Sequence, residues 1–361
     1  MMKNNKWKLL ISSIIILLPI VFGLIFWNEL PETLITHWGA DGNADGWSSR
    51  PVAILALPIF LLLIHWFCVF VTAKDPRNKG QNHKVFDLVL WICPVISLFA
   101  AGVTYTAAFG KDLSVVLYPL SLIGLLFVVI GNYLPKCKQN DTIGIKIKWT
   151  LQNEENWNAT HRFAGKIWVA GGLLMMVSAF LPENVFLWVL ISSMILMTVV
   201  PLVYSYLYYK KRLKEGKADI TPIAKIAAPK SVKIVSAVFL MAILIFVGFL
   251  MFTGDITVEY ADSSFTVNAS FWHKLIVEYS AVDSVEYREY DDAGVRTGGL
   301  GSARLLVGAF RNDEFGNYTR YSYTKCDACV ILDVDGKILV INGSDADSTK
   351  AIYEKIKSNI G

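Results

Sequence analysis

Seven long apolar runs constrain the fold of this 361-residue chain more than any other feature of its sequence. A bilayer core requires about 20 apolar residues per spanning helix, and in lipid the helix must satisfy its own backbone hydrogen bonds. Because 54% of the residues are hydrophobic and only 18% are charged, we predict a polytopic α-helical membrane protein with about seven transmembrane helices. The runs are Trp7–Trp27, Val52–Thr72, Phe86–Ala108, Leu113–Tyr133, Phe163–Leu181, Phe186–Tyr208 and Val232–Thr253.

Basic residues are distributed unevenly among the predicted loops. The amino terminus and segments 73–85, 134–162 and 209–231 are rich in Lys and Arg, whereas the alternate loops contain almost none. Short basic loops stay in the cytoplasm, so seven spans place the amino terminus inside and the carboxyl-terminal domain outside. No small-residue cleavage site precedes Asn28, so we expect the first run to be a retained anchor. The positive charge then indicates contact with anionic membrane lipid, and we predict no nucleic-acid partner.

The pattern changes after Asp255 from long apolar runs to short segments rich in β-branched and aromatic residues. Turn residues separate these segments, among them Gly298–Gly301 and Asp335-Gly336. The stretch from Asp345 to Ile360 is predicted to form one amphipathic helix, which Asp345 or Asp347 can cap. We therefore predict a β-rich barrel or sandwich closed by one helix. The predicted strands are Ile256–Tyr260, Ser264–Val267, Lys274–Glu278, Val282–Tyr287, Ala303–Ala309, Tyr318–Tyr323, Ala328–Leu332 and Lys337–Ile341.

This carboxyl-terminal segment resembles the bacterial pleckstrin-homology-like (PH-like) domains that are attached to membrane proteins. The resemblance is carried by Gly308-Ala309-Phe310, by Val340-Ile341-Asn342-Gly343 and by the terminal helix. It implies a binding or dimerisation module. We divide the chain into a two-helix hairpin at 1–72, a four-helix membrane domain at 73–210, a basic linker with a seventh span at 211–253, and an extracytoplasmic β domain at 254–361.

The first extracytoplasmic loop contains candidate binding residues, which are His37, Trp38, Gly42, Asp45 and Trp47. Tryptophans at span ends also anchor helices at the lipid headgroups, and this structural interpretation stays open. Asp41-x-Asn43-x-Asp45-Gly46 matches the first half of a Ca²⁺ loop, but Val52 stands where such a loop needs a bidentate Glu. Because Asp, Asn and Gly are also common turn residues, we assign no metal ligand, and Ca²⁺ or a transition metal on His37 stays an alternative.

The loop after the fourth run is the second candidate site and a predicted cytoplasmic platform. Gly144 permits a tight turn, and Thr150 can cap the helix that carries Trp157, His161 and Arg162. Trp157 and His161 are four residues apart and therefore share one helical face. A partner-binding surface and an interfacial helix anchored by its tryptophans are both compatible with this composition. The candidate residues are Asn132, Pro135, Asn140, Gly144, Trp149, Thr150, Trp157, His161 and Arg162.

Both loops carry a family resemblance. The Leu-Pro-x3-Ile-x-His-Trp pattern that begins at Leu30 resembles the short domain of unknown function that precedes the SdpI immunity domain. The run from Gly131 through Gly165, with Gly144, Thr150 and His161, closely resembles the SdpI family itself. The resemblance implies a multi-pass protein of a bacterial cell membrane that is associated with resistance to a secreted peptide toxin. A member of this family sequesters a cytoplasmic repressor, so a cytoplasmic regulator is also an implied partner.

The chain departs from the family pattern at two places. Lys146 stands where the family often has Arg, and Ile147-Lys148 replaces a more usual Thr-Pro. A lysine keeps the charge but loses the bidentate fork of a guanidinium, so a fixed anion-binding role for this loop is in doubt.

No phosphate loop, His-Glu-x-x-His motif or nucleophile arrangement points to an enzyme, and we predict no catalytic residue and no cofactor. Cys326-x-x-Cys329 is too few ligands for a structural zinc site. The favoured function is immunity toward a secreted peptide or envelope-active agent, with signalling to a cytoplasmic regulator. The alternatives are a receptor that sequesters a repressor without protecting the cell, a membrane metalloenzyme and a transporter.

Overall fold

The computed structural model of the protein describes residues 5–38, 44–111, 117–216 and 229–360. These residues form two compact units. The first unit, which we call the helical unit, contains residues 5–29 and the described part of 54–239. The second, the β unit, contains residues 30–38, 44–53 and 240–360.

The long helices of the structure follow the seven apolar runs. Five of them are long and apolar enough to cross a membrane, namely Lys6–Ile25, Arg50–Lys74, His83–Ala108, Leu187–Lys214 and Lys230–Phe252. The prediction of a polytopic helical membrane protein is thus confirmed, whereas the number seven stays a prediction. The helices are α1 Lys6–Ile25, α2 Arg50–Lys74, α3 His83–Ala108, α4 Leu117–Tyr133, α5 Lys148–Gln152, α6 Glu154–Ser178, α7 Glu183–Lys214 and α8 Lys230–Phe252.

Hydroxyl groups join α1 to α3 inside the helical unit. Ser97 Oγ donates to the carbonyl oxygen of Ile16 at 2.8 Å, and Tyr105 Oη donates to that of Pro19 at 2.7 Å. Both hydroxyls are buried in their helix interface. In a spanning bundle such bonds satisfy polar groups that find no water, so they fix how the two helices pack.

Four glycines bring the backbones of α4 and α6 into direct contact. A Cβ atom on Gly124 would lie 2.6 Å from the carbonyl oxygen of Gly172, and one on Gly165 would lie 2.7 Å from that of Gly131. The pairs are seven residues apart on each helix and run in opposite directions, so the helices are antiparallel. Small residues at a crossing allow this close approach in a membrane.

The β unit begins with an antiparallel hairpin, β1 Thr33–Trp38 and β2 Ala44–Ser49. The later strands form a three-stranded sheet in the order β3-β4-β5 and a six-stranded sheet in the order β6-β10-β11-β9-β8-β7. Helix α9, Ala346–Ile360, packs on β6 and β10. These strands are β3 Ile256–Tyr260, β4 Ser264–Ala269, β5 Leu275–Glu278, β6 Val282–Arg288, β7 Val295–Gly301, β8 Leu305–Asn312, β9 Gly316–Tyr323, β10 Cys329–Val334 and β11 Lys337–Ile341.

One core holds the two sheets and the terminal helix together. Phe265, Tyr321, Leu332 and Ile356 are completely buried in it, one each from β4, β9, β10 and α9. Asp345 caps α9, because its Oδ1 accepts from the N–H of Ser348 at 2.8 Å. The predicted β-rich domain closed by a final helix is confirmed, and its likeness to PH-like domains stays a prediction.

The predicted turn at Gly298–Gly301 is wrong, because these residues lie in β7. Gly299 and Gly308 face each other across β7 and β8 with φ of 107° and 124°. A Cβ on Gly308 would lie 2.6 Å from the carbonyl oxygen of Gly298. The glycines therefore serve a close approach of two strand backbones, which a count of turn residues does not distinguish from a loop.

Candidate functional site

The segment between α4 and α6, residues 134–153, folds as a compact loop around Asn140. This side chain is completely buried. Its amide nitrogen donates to the carbonyl oxygens of Lys138 at 2.8 Å and Ile143 at 2.9 Å. Its Oδ1 accepts from the N–H groups of Thr142 at 2.8 Å and Ile143 at 2.6 Å. One asparagine thus replaces the backbone pairing of a regular element for a whole turn.

Trp157 forms the centre of the same loop. It is completely buried at the start of α6, and its indole Nε1 donates to the carbonyl oxygen of Cys137 at 2.8 Å. The ring of His161 stacks on it with 4.0 Å between centroids and 20° between planes. The expectation that both residues share one helical face is correct. A buried Trp with a satisfied N–H is a packing anchor of the loop.

Hydrogen bonds define the protonation state of His161. Its Nε2 accepts from the backbone N–H of Ile145 at 3.0 Å, so that nitrogen carries no proton. Its Nδ1 lies 2.8 Å from the carbonyl oxygen of Trp157, so Nδ1 is the donor. Burial lowers the pKa of His161 to about 4, against a smaller opposite effect of the bond to Trp157. The imidazole is therefore neutral at physiological pH.

Gly144 provides the space that this histidine occupies. Its φ is 111°, and a Cβ there would collide with His161 Nε2 and lie 3.1 Å from the Trp157 ring. Thr150 fixes the next turn, since its Oγ1 accepts from Ile147 N at 3.0 Å and donates to the carbonyl oxygen of Ile145 at 2.8 Å. The predicted tight turn at Gly144 matches this geometry. The prediction that Thr150 caps the helix of Trp157 is wrong, because Thr150 lies within α5 and Asn153 caps α6 by accepting from the N–H of Asn156 at 2.7 Å.

The remaining candidates of this loop occupy its border. Pro135 lies in a short 3₁₀ turn after α4 and faces Gly165, where a Cβ would lie 3.0 Å from the proline ring. Trp149 is half-buried, and its ring lies 5.3 Å from that of Tyr206. Asn132 and Arg162 are exposed, and the structure does not bring either into the packed centre.

A second loop, which the sequence analysis did not single out, binds the first. Asp75 follows α2 and accepts from the N–H of Asp141 at 2.9 Å and from Thr142 Oγ1 at 3.1 Å. Asn78 donates to Thr142 Oγ1 at 2.8 Å. Gln81 accepts from the N–H of Lys138 at 2.9 Å. We call residues 75–81 and 134–161 together the loop unit.

Three of these partners are polar residues with little exposure. Asp75, Asn78 and Gln81 are all buried, and Arg77 pairs with Asp141 at 3.1 Å. A cluster of Asp, Asn and Gln directly after a span is the sequence signal for them, but their partners lie about 60 residues away in sequence. Periodicity and spacing do not indicate such a pairing.

A buried polar group also joins α6 to α7. Asn156 donates to the carbonyl oxygen of Ser205 at 3.0 Å, and its Oδ1 accepts from Ser205 Oγ at 2.7 Å and from Thr160 Oγ1 at 2.9 Å. Glu155 forms an ion pair with Arg212, which lies about two turns after Ser205 on α7. The loop unit is thereby attached to α7 as well.

The predicted extracytoplasmic loop is a β-hairpin in the β unit. His37 on β1 is paired with Gly46 on β2, where a Cβ would lie 2.8 Å from that of His37. His37 is exposed and Trp38 is half-buried on β1. Gly42 lies outside the described residues, and of Asp45 the structure describes only the backbone, in β2. Within the described part of the chain, no group of three or more His, Cys, Asp or Glu side chains is arranged to hold a metal ion.

Trp47 attaches this hairpin to the β domain. Its ring contacts the His273 ring in a T-shaped arrangement, with 5.3 Å between centroids and 70° between planes. An ion pair at 3.2 Å joins Glu32 to Lys274, the next residue after that histidine. Burial lowers the pKa of His273, so this imidazole is held neutral against the indole. Hairpin and β domain therefore present one continuous surface, a partnership that the sequence did not indicate.

The geometry defines a multi-pass helical membrane protein with a folded loop unit in its helical part and a hairpin docked on a β domain. Comparison with known protein families gives two matches. Residues 136–205 match the SdpI/YfhL protein family, and residues 14–62 match a domain of unknown function, DUF1648. The resemblance recognised from the sequence is thus confirmed over these two segments of the chain.

Two relatives are similar in sequence. Immunity protein SdpI of Bacillus subtilis is 27% identical over 211 residues, which are 58% of this chain and 98% of that protein. An uncharacterized protein of Archaeoglobus fulgidus is 27% identical over 150 residues, 35% of this chain and 81% of its own length. No solved structure matches the chain.

Proposed function

We propose that this protein gives the cell immunity or resistance to a secreted toxic peptide or another envelope-active agent. The observation that carries the proposal is the similarity to an immunity protein over 98% of that protein's length. The SdpI/YfhL match ends at residue 205, within α7, so the part of this chain after α7 is an addition to the family segment.

Contacts between loops support a topology in which every long helix crosses the membrane. Loops 75–81 and 137–142 bind each other, and α3 and α4 separate them along the chain, so both helices cross or neither does. The ion pair of Lys8 with Asp87 at 2.7 Å puts the beginning of α1 on the same side. These are the basic loops, so that side is the cytoplasm.

The same reasoning supports an extracytoplasmic hairpin and β domain. Trp47 of the hairpin contacts His273 of the domain, so both lie on one side. Six long helices separate them, α2, α3, α4, α6, α7 and α8, and an even number of crossings returns the chain to the side it left.

In the proposed mechanism the hairpin and the β domain make the first contact with the agent. His37 is exposed there, and Trp47 couples the hairpin to the domain. The loop unit lies on the opposite side and reports occupancy to a cytoplasmic regulator. Binding of the agent can change the loop unit only if the agent has a higher affinity for one arrangement of the helix bundle than for another.

One observation favours signalling as a second function. The loop unit has a buried, hydrogen-bonded centre but exposes four lysines, and Arg162 is exposed directly after it; the lysines are Lys136, Lys138, Lys146 and Lys148. A fixed core with an exposed basic surface suits an acidic protein partner. A protein that only sequesters a regulator would recruit it on addition of the agent and leave survival unchanged.

Survival of a toxin-sensitive bacterium tests the proposal. We expect cells that express the intact protein to survive exposure to secreted peptide toxins, and cells with Trp47→Ala to lose much of that protection. Trp188→Ala on α7 is the matched control, because this tryptophan is 72% exposed on a membrane helix. Membrane levels of all three proteins are compared by immunoblot. If the intact protein reaches the membrane but protects against none of several toxins, immunity is not its function.

A further inference from the structure

A small cavity of about 250 Å³ lies in the β unit, where α8 ends and the β domain begins. It is lined by an aromatic residue of the span, two basic side chains, a tyrosine and a hydroxyl group. The lining residues are Phe252, Ala303, Arg304, Tyr323, Lys325 and Ser344.

Two hydrogen bonds connect residues that line this cavity to the end of α8. The N–H of Ala303 donates to the carbonyl oxygen of Met251 at 3.1 Å, and Arg304 Nε donates to that of Gly254. The most apolar 18-residue stretch of α8 has a mean hydropathy of 2.9, and none of its residues is buried by protein. Most of the helix surface can therefore face lipid, and a cavity at its last turn is expected at the level of the lipid headgroups.

Two exposed phenylalanines lie at the same end of α8. Phe252 ends α8 and is 70% exposed. Phe271 is 44% exposed, and its ring lies 5.7 Å from that of Phe249. Phe271 has a φ of 66°, a conformation that a bulky residue adopts only when its surroundings hold it there. A strained, exposed aromatic ring beside a span end suits insertion into the membrane interface.

The charges of the lining suit a phosphate group. The Arg304 guanidinium lies 5.6 Å from the Tyr323 ring centre and pairs with Asp255, which stands outside the lining. Lys325 is exposed and adds a second cation. The described lining residues include no carboxylate, but the lining hydroxyl of Ser344 donates to Asp345 Oδ2 at 3.0 Å. The cavity therefore offers a phosphate group the ammonium of Lys325 and a guanidinium, that of Arg304, whose charge Asp255 partly balances.

We propose that this cavity binds the phosphate of an anionic phospholipid in the leaflet that faces the β domain, with Phe252 and Phe271 against its acyl chains. The site fixes the domain on the membrane surface. It is independent of the immunity function, because it rests on the end of α8 and on the β domain alone.

Lipid titration of the purified full-length protein tests this site. The probes are phosphatidylglycerol, zwitterionic phosphatidylcholine and inorganic phosphate, and binding is followed by the thermal unfolding midpoint in detergent. We expect phosphatidylglycerol to bind and stabilise the protein, and Lys325→Gln to weaken that binding roughly fivefold, as expected for one lysine at an anionic surface. Lys337→Gln is the matched control, an exposed lysine of β11 in the same domain.

Three results overturn the proposal. In the first, phosphatidylglycerol binds wild-type protein and Lys325→Gln with equal affinity. In the second, phosphatidylcholine binds as tightly as phosphatidylglycerol, which makes the contact one of acyl chains only. In the third, inorganic phosphate alone gives the full lysine-dependent stabilisation, which identifies a soluble anion and not a lipid as the ligand.

Discussion

His161 is a titratable group that the loop unit requires in its neutral form. A proton on Nε2 would abolish the bond that Ile145 donates and would leave a charge in a buried site. The pKa is about 4 in the folded protein against an ordinary value of 6.5. The unfolded chain thus binds the proton more readily, so the contribution is complete above about pH 6.5 and is lost as the pH falls toward 4. Its size is on the order of 3 kcal/mol.

Replacement of this histidine checks the pH dependence. We expect His161→Gln to unfold at a lower temperature than wild type at pH 7.5, because Ile145 N–H loses its acceptor. Its midpoint also falls less than that of wild type between pH 7 and pH 5, since glutamine does not titrate. His83→Gln, at the exposed start of α3, serves as the control and follows wild type. Parallel acid curves for wild type and His161→Gln would rule out His161 as the titrating group.

A substitution at Gly144 changes the shape of the same cluster of side chains without changing its charge. Gly144→Ala forces a Cβ into His161 at a φ of 111°, so we expect a loss of about 2 kcal/mol or more from the free energy of unfolding. Gly80→Ala is the control in the other half of the loop unit, because the nearest atom to its Cβ would be Lys138 Nζ at 3.8 Å. Urea denaturation of the detergent-solubilised proteins measures both. Equal loss in the two variants would contradict the role of Gly144.

Residue pairs that are close in sequence were predictable, and distant ones were not. The stacking of Trp157 on His161 follows from helical spacing, and the turn at Gly144 follows from residue type. The contact of Asp75 with Asp141 joins two loops across two helices. No periodic pattern records such a contact, so the polar centre of the loop unit required the structure.

The crossing of α4 and α6 depends on the absence of side chains at four positions. Gly165→Ala would insert a Cβ 2.7 Å from the carbonyl oxygen of Gly131, where neither backbone can give way cheaply. We expect about 1–3 kcal/mol of destabilisation, as found for overpacking in general. Gly102→Ala on α3 is the control, since no atom lies within 4 Å of its Cβ. The thermal unfolding midpoint of each variant is measured in detergent. If Gly165→Ala is as stable as the control, the close contact of the α4 and α6 backbones at Gly165 is contradicted.

The helices were easier to predict than the strands for a physical reason. A spanning helix needs about 20 apolar residues, and that requirement is visible in the sequence. The 33–49 hairpin is short and polar, and its stability includes the contact of Trp47 with His273, more than 200 residues later. Strand β7 contains three glycines because it lies close to β8, and its sequence resembles a turn. In both cases the partner of the strand determines the structure.

The molecule as a whole combines a membrane part that is similar to the SdpI/YfhL family with a β domain that follows α8. The hairpin belongs to the family-related DUF1648 segment, yet it packs on the β domain. An input surface built from both segments would let the added domain modify what a shared membrane part responds to. This division of roles requires that hairpin and β domain lie on the side opposite to the loop unit.

Cysteine labelling of intact cells measures that arrangement directly. Tyr290 is 70% exposed on the β domain and Lys214 is exposed at the end of α7. We expect a membrane-impermeant maleimide to label Tyr290→Cys in intact cells and Lys214→Cys only after the membrane is opened. The unsubstituted chain is the control, because four of its five cysteines are buried and Cys68 lies within α2. If Lys214→Cys is labelled in intact cells and Tyr290→Cys is not, the true topology is the reverse of the proposed one. The hairpin would then face the cytoplasm, where it meets no secreted agent.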